Sequence, residues 1–133
     1  MNHSLRVLNI LFLVIPLCYC NANNSTAPLF VDGGRTIDSL KLQYLCQDIE
    51  FENWEEDDFS DSSLTVCFIN SKIDPLKMKD SINWTLIASK IKNAVTKPER
   101  YKSYYIIFVK RETVNGLTSS SHTAGSDIPS DDL

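Results

Sequence analysis

The chain has few of the residues on which most enzyme chemistry depends. Its 133 residues include 2 histidines, 4 cysteines and 4 glycines. Because the histidines are His3 and His122, near the two ends, the central region has no imidazole base, no Ser-His or Cys-His pair and no histidine-ligated zinc. It also has no Walker or dinucleotide-binding glycine pattern. We therefore predict a protein that is not an enzyme and that takes no cofactor or metal. A carboxylate-based hydrolase is the one enzyme class that the composition leaves open.

A long apolar run is missing as well. The apolar segment 10–17 follows Arg6 and precedes small residues that end at Ala22. A basic residue, a short apolar core and small residues in this order are typical of a cleaved secretory signal peptide. A membrane-spanning helix would need about 20 apolar residues. We predict a signal peptide over residues 1–22, a secreted, extracellular product and no stable membrane anchor.

The remaining cysteines and the glycosylation motifs fit the same compartment. Removal of the signal peptide leaves Cys46 and Cys67, and an even number of cysteines in an oxidising compartment predicts one disulfide between them. Three Asn-x-Ser/Thr motifs, at Asn23, Asn24 and Asn83, predict N-glycosylation. Because Asn23 and Asn24 are adjacent, we expect a glycan on one of them.

Charges are segregated along the chain. Residues 48–61 contain eight acids and no base, whereas residues 72–111 contain ten bases against three acids. The acidic run is interpreted either as a solvated loop or as a contact surface for a basic partner or for the basic half of the same domain. The basic half is a candidate site for a polyanion such as heparin. Its candidate contact residues are Lys90, Lys92, Lys97, Arg100, Lys102, Lys110 and Arg111.

Nucleic acid is not expected as a partner. Without the signal peptide the chain has 12 basic and 17 acidic residues, a net charge of −5, and it contains no nucleic-acid-binding motif.

Hydrophobic periodicity predicts one helix between strands. Trp84, Ile87, Ala88, Ile91 and Val95 form a single helical stripe, which predicts an amphipathic helix over about 81–96. Alternating or continuous apolar residues predict strands at about 63–69 and 104–109. The segment 40–51 fits either a strand or a helix, and we favour a strand.

These elements predict a small single domain of the α+β class, with a three- or four-stranded sheet packed by one amphipathic helix. The domain should occupy residues 23–112. Residues 113–133 are rich in Ser, Thr and Asp and show no apolar periodicity, which predicts a disordered tail.

The function that these features favour is protein–protein binding by a secreted glycoprotein, acting as a ligand, decoy or modulator of an extracellular partner. Two alternatives stay open. One is polyanion or heparin binding through the basic half, residues 72–111. The other is transport of a small apolar ligand in a pocket between sheet and helix.

Overall fold

The computed structural model describes residues 27–54, 63–78 and 80–133. The predicted signal peptide, the motifs at Asn23 and Asn24 and residues 55–61 of the acidic run lie outside the described residues.

The fold is a small α+β domain with two α-helices and a four-stranded mixed sheet. The predicted class is confirmed, and the sheet has four of the three or four strands expected. The prediction of one packing helix is wrong, because both helices contribute side chains to the core. In chain order, the elements are α1 (Arg35–Gln43), β1 (Asp48–Glu52), β2 (Ser63–Ile69), α2 (Trp84–Ala94), β3 (Ser103–Val114) and β4 (Leu117–Pro129). The strand order is β1-β2-β3-β4. The β2–β3 pair is parallel, and the two outer pairs are antiparallel.

The helices cover one face of the sheet, which we call the front face. Leu64, Val66 and Phe68 of β2 lie in one core cluster with the buried side chains of both helices. Phe68 stacks on Phe108 of β3 with 5.0 Å between ring centroids. Residues that alternate with these, Cys67 among them, form a smaller apolar cluster on the back face. The core therefore forms between the front face of the sheet, to which every second strand residue points, and the apolar sides of the two helices.

The α2 stripe is confirmed, because Ile87, Ala88 and Ile91 are all buried. Asn83 caps the helix by accepting a hydrogen bond from the Leu86 N–H at 2.9 Å. The helix connects two parallel neighbouring strands, so β2, α2 and β3 form a crossover unit.

The strand prediction for 40–51 is wrong over its first part. Residues up to Gln43 belong to α1, and β1 begins only at Asp48. The buried side of α1 is made by Ile37 and Leu40, continued by Tyr44. This spacing of three and four residues is helical, and it takes precedence over the alternation that the same segment also shows.

The prediction of a disordered tail over 113–133 is also wrong. β3 continues to Val114, and β4 pairs with it from Leu117 to Pro129. Asn115 and Gly116 both have positive φ, 51° and 77°, as a two-residue type I′ hairpin turn requires. β4 is stabilised by backbone hydrogen bonds to β3 and contributes little apolar surface, so its Ser- and Thr-rich composition gave no periodic signal.

The predicted disulfide is not formed in the structure, where both Cys46 and Cys67 are free. Cys46 packs against the front-face core, whereas Cys67 belongs to the back-face cluster. The sheet therefore separates the two thiols.

Candidate functional site

An exposed apolar surface lies beside the C-terminal end of α1, on a segment whose backbone is held by hydrogen bonds. Leu42 and Leu45 expose 75% and 53% of their surface there. They flank an open groove of about 800 Å³, which we call the α1 groove. Its lining is Asp38, Lys41, Leu42, Leu45, Cys46, Gln47, Asn70 and Lys72.

Backbone geometry at the end of α1 turns these leucines outward. Leu45 has a φ of 49°, in the left-handed region, which ends the helix. Its N–H donates to the Leu42 carbonyl at 3.2 Å, and its own carbonyl accepts the Lys72 N–H at 3.1 Å. The Cys46 N–H donates to the Lys41 carbonyl at 3.0 Å. Backbone hydrogen bonds therefore link the end of α1 to the segment at Lys72 on the other side of the groove.

Asn70 holds the floor of the groove to the centre of the sheet. Its Nδ2 donates to Gln47 Oε1 at 2.7 Å. Its N–H donates to the Val109 carbonyl at 2.9 Å, and its Oδ1 accepts the Arg111 N–H at 2.7 Å. These bonds use both groups of the side chain, so Asn70 links the groove to the sheet.

A second cavity, of about 560 Å³, lies on the other side of Asn70, at the carboxyl ends of β2 and β3. The carboxyl end of parallel strands is where open α/β sheets place their ligands. Asp74 in this cavity pairs with Lys77 at 3.6 Å and accepts the Leu76 N–H, so local contacts engage its carboxylate. Lys72 lines both cavities and, among the described residues, has no ion-pair partner.

The thiol at the groove is poorly suited to nucleophilic chemistry. Burial, the largest cause, raises the pKa of Cys46 to about 11, although a hydrogen bond with Ser71 and the charge of Lys41 oppose the shift. A thiol with such a pKa is protonated at neutral pH, and the thiolate is the reactive form. The groove offers an apolar contact surface with three charged side chains at its edge: Asp38, Lys41, which pairs with Asp48 at 3.1 Å, and Lys72.

The structure does not bring the seven predicted polyanion contacts into one patch. Lys102 directly precedes β3 and Arg111 lies nine positions later on that strand, which at about 3.3 Å per residue separates them by about 30 Å. Near Lys102, at the start of β3, Lys92 Nζ donates to the Ser130 carbonyl at 2.8 Å. Lys90 contacts Gln43 of α1 at 3.5 Å. Lys97 precedes the short helix Pro98–Arg100, Arg100 is its last residue, and both have interaction partners.

At the other end, the basic side chains are paired with acids. Lys110 contacts Glu112 at 3.0 Å. Arg111 makes two bonds to Glu50, at 2.6 and 2.8 Å. The hydrogen bond to Glu50 is the main cause that raises the pKa of Arg111. Glu50 belongs to the acidic run, so part of that run contacts the basic half of the same domain.

Asn83 is exposed at the start of α2, where its Oδ1 caps the helix. A glycan would be attached through Nδ2, so capping and glycosylation use different atoms of the same side chain.

Sequence reasoning did not identify the α1 groove. The sequence feature that could have indicated it is the pair Leu42 and Leu45. If Leu40 and Tyr44 lie on the buried face of a helix, Leu42 and Leu45 cannot both lie on that face and must be exposed.

No family model, curated protein or solved structure matches this chain. The described residues contain no helix long and apolar enough to cross a membrane. They also contain no group of three or more metal-ligating His, Cys, Asp or Glu side chains. The groove geometry is therefore the basis for assigning a function.

Proposed function

We propose that the protein is a secreted glycoprotein that acts by binding an extracellular protein partner through the α1 groove. The observation that carries the proposal is the pair of exposed leucines, Leu42 and Leu45, held beside an open groove on a hydrogen-bonded floor. The signal peptide and glycosylation motifs of the sequence supply the expected compartment.

The energetic reason is the cost of leaving these side chains in water. Burying a leucine side chain stabilises a complex by about 1.5–3 kcal/mol. Single exposed leucines are common, but exposed apolar side chains that line the same concave surface favour an interaction site. Hydrogen bonds hold the backbone of Leu42 and Leu45, so binding requires little ordering of this region.

The charges at the edge define the partner's chemistry. Lys72 has no acidic partner among the described residues, whereas Lys41 is already paired with Asp48. We expect an apolar side chain of the partner between Leu42 and Leu45, and an acidic group facing Lys72. Such a polar rim around an apolar centre is the usual organisation of a protein interface.

The test is binding of tagged protein, purified from culture medium, to a panel of cells. Leu42→Asp should weaken binding by at least about tenfold, because it places a charge where an apolar contact is needed. Leu29→Asp is the matched control, because Leu29 is 73% exposed but lies outside the groove. Unchanged binding of Leu42→Asp would contradict the proposal.

Treatment of the cells separates a protein partner from a polyanion. Protease treatment should remove the binding sites, and heparinase treatment should leave them. Loss of binding after heparinase would instead support the polyanion alternative, whose basic residues the structure distributes over two regions.

A further inference from the structure

The hairpin of β3 and β4 projects beyond the rest of the sheet. β2 ends at Ile69, which lies opposite Val109 of β3. Residues 110–121 therefore form a two-stranded ribbon, which we call the β arm. Every residue of the β arm is exposed except Arg111, which is half-buried.

The β arm is anchored at its base. Arg111 donates its N–H to Asn70 Oδ1 at 2.7 Å, and its guanidinium binds Glu50 through two bonds. Farther out, the hydroxyls of Thr113 and Thr118 are 2.9 Å apart across the strands. These contacts give an exposed ribbon a defined direction, although an isolated two-stranded hairpin is only marginally stable in water.

The outer edge of β4 has unpaired backbone groups. Val114 and Leu117 flank a two-residue turn, so they form a hydrogen-bonded pair. Pairs alternate along an antiparallel ladder, so the N–H and C=O groups of Thr118, Ser120 and His122 point away from β3. Within the described part of the chain, β4 has β3 as its strand partner and its other edge is open.

This edge has almost none of the usual protection against pairing. Charged side chains, proline and bulges are the devices that keep edge strands apart. No Asp, Glu, Lys, Arg or Pro occurs from Leu117 to Ser126. The ladder is irregular between Phe108 and Val109, where Thr123 is the extra residue of β4. Residues 117–122 thus form a regular edge without Asp, Glu, Lys, Arg or Pro.

The tip of the β arm adds apolar surface. Val114 and Leu117 expose 63% and 78% of their surface. In a projecting ribbon these side chains have no core to join, so association with another chain is the way to remove them from water.

We propose that two copies of the chain associate through the β arm, with their β4 edges paired antiparallel about a two-fold axis at Ser120. In this register Ser120 faces Ser120 of the second copy, and Thr118 faces its His122. All three are the residues whose backbone groups point outward, and each pair can exchange two hydrogen bonds. Leu117 then lies opposite Thr123 of the second copy.

A second copy fits this edge because the edge is complementary to itself. Residues 117–122 carry no Asp, Glu, Lys or Arg, so two-fold pairing places no such charges opposite each other. The residues on either side of Ser120 are serines, so two identical strands can approach closely at the two-fold axis. Two-fold, isologous contacts of this kind are the commonest in homo-oligomers. The sheets of both copies would become one continuous sheet.

Sedimentation of the mature protein over a concentration series tests the proposal. Ser120→Pro removes the central outward N–H and leaves pairing with β3 intact, because proline is tolerated at the solvent side of an edge strand. We expect it to weaken dimerisation by at least about tenfold, whereas Ser120→Ala, which retains the N–H, should dimerise like the unchanged protein. A protein that is monomeric up to its solubility limit, or a dimer insensitive to Ser120→Pro, would overturn the proposal.

A cross-linking experiment decides the matter even if Ser120→Pro fails to fold. Hydrogen-bonded antiparallel pairs have Cα atoms about 5.5 Å apart, within the range of a disulfide. In a Cys46→Ser background, Ser120→Cys should form a covalent dimer on mild oxidation. Ser119→Cys, which is equally exposed but faces Ser121 of the second copy, should not. Equal cross-linking of the two variants would refute the two-fold register.

Discussion

Asp32 illustrates how one side chain starts α1. Its Oδ1 accepts the Gly34 N–H at 2.9 Å, and its Oδ2 accepts the Thr36 N–H at 2.8 Å. Gly34 has a φ of 91°, in the region that favours glycine, so the backbone turns sharply there before the helix begins at Arg35. The carboxylate therefore satisfies N–H groups that have no partner within the helix.

Asp32 should make stability depend on pH. The hydrogen bond with the Thr36 side chain is the largest cause that lowers the pKa of Asp32. Burial, the next largest, opposes it, and the backbone hydrogen bonds from Thr36 and Gly34 and the charge of Arg35 add to the lowering. A carboxyl group with a lowered folded-state pKa stabilises the fold above its unfolded pKa of about 3.9, and this stabilisation is lost as the pH falls through the folded-state value. Asp32→Asn keeps hydrogen-bond acceptors but cannot ionise.

We therefore expect Asp32→Asn to be less stable than the unchanged protein at neutral pH, with a difference that narrows below about pH 4. Urea denaturation at a series of pH values measures both free energies of unfolding. A difference of the same size at neutral and acidic pH would contradict this origin.

The two cysteines show that the number of cysteines alone does not predict whether they form a disulfide. An even number of cysteines and an oxidising compartment predict a disulfide between Cys46 and Cys67. Neither observation shows on which face of the sheet each side chain lies. The alternation of Leu64, Val66 and Phe68 places Cys67 on the opposite face, and this signal was present in the sequence. Burial raises the pKa of Cys67 to about 12, with Glu52 and Glu50 adding to the effect, so this thiol is protonated at neutral pH.

At the scale of elements, two substitutions at the start of α2 distinguish the effect of the Asn83 helix cap from the effect of a glycan on Asn83. Asn83→Ala removes both the glycan acceptor and the Oδ1 that accepts the Leu86 N–H. Loss of an asparagine N-cap costs about 1 kcal/mol. Thr85→Ala also abolishes the motif but leaves the cap, so it is the matched control.

We expect neither variant to carry a glycan at this position, and Asn83→Ala to be less stable than Thr85→Ala by about 1 kcal/mol. Intact mass after secretion measures the first result, and thermal or urea unfolding measures the second. Equal stability of the two variants would mean that the cap contributes little. An Asn83 without glycan in the unchanged secreted protein would show that the glycosylation prediction is wrong.

The elements differ in how well their sequence predicted them, for physical reasons. α2, β2 and the first part of β3 bury much of their apolar surface in the core, so their periodicity is visible in the sequence. α1 combines a buried face at Ile37 and Leu40 with exposed leucines at Leu42 and Leu45, which obscures its helical period. The candidate site lies on this element, so the exposed leucines that define the site also concealed the helix.

At the scale of the whole molecule, β4 extends the folded domain beyond residue 112. It pairs with β3 along nearly the full length of that strand, from Ser103 opposite Pro129 to Val114 opposite Leu117. Ile128 and Leu133 pack against the front-face core. The Asn115-Gly116 turn was the one strong sequence signal for this hairpin, since Asn-Gly between two strands favours a type I′ turn. Residues 113–133 are therefore part of the domain.

Gly125 provides a test of this boundary in the full-length chain. A Cβ atom at Gly125 would lie 3.0 Å from the Ile106 carbonyl oxygen and 3.4 Å from Ile107 Cβ. The first neighbour is backbone and cannot move without disturbing β3, so Gly125→Val should destabilise the protein by about 1–3 kcal/mol, as overpacking does. Ser119→Val places the same side chain on an exposed position of β4 and should change stability little, because valine suits a strand.

Urea denaturation, followed by tryptophan fluorescence, measures both Gly125→Val and Ser119→Val. Trp54 and Trp84 both pack against the core, and Trp84 lies edge-on to Phe108, in the strand next to β4, with 5.9 Å between ring centroids. A disordered tail would tolerate both valines equally. Selective loss of stability in Gly125→Val would therefore establish that β4 is a strand of the folded domain and that its outer edge, on which the proposed dimer depends, is held in place.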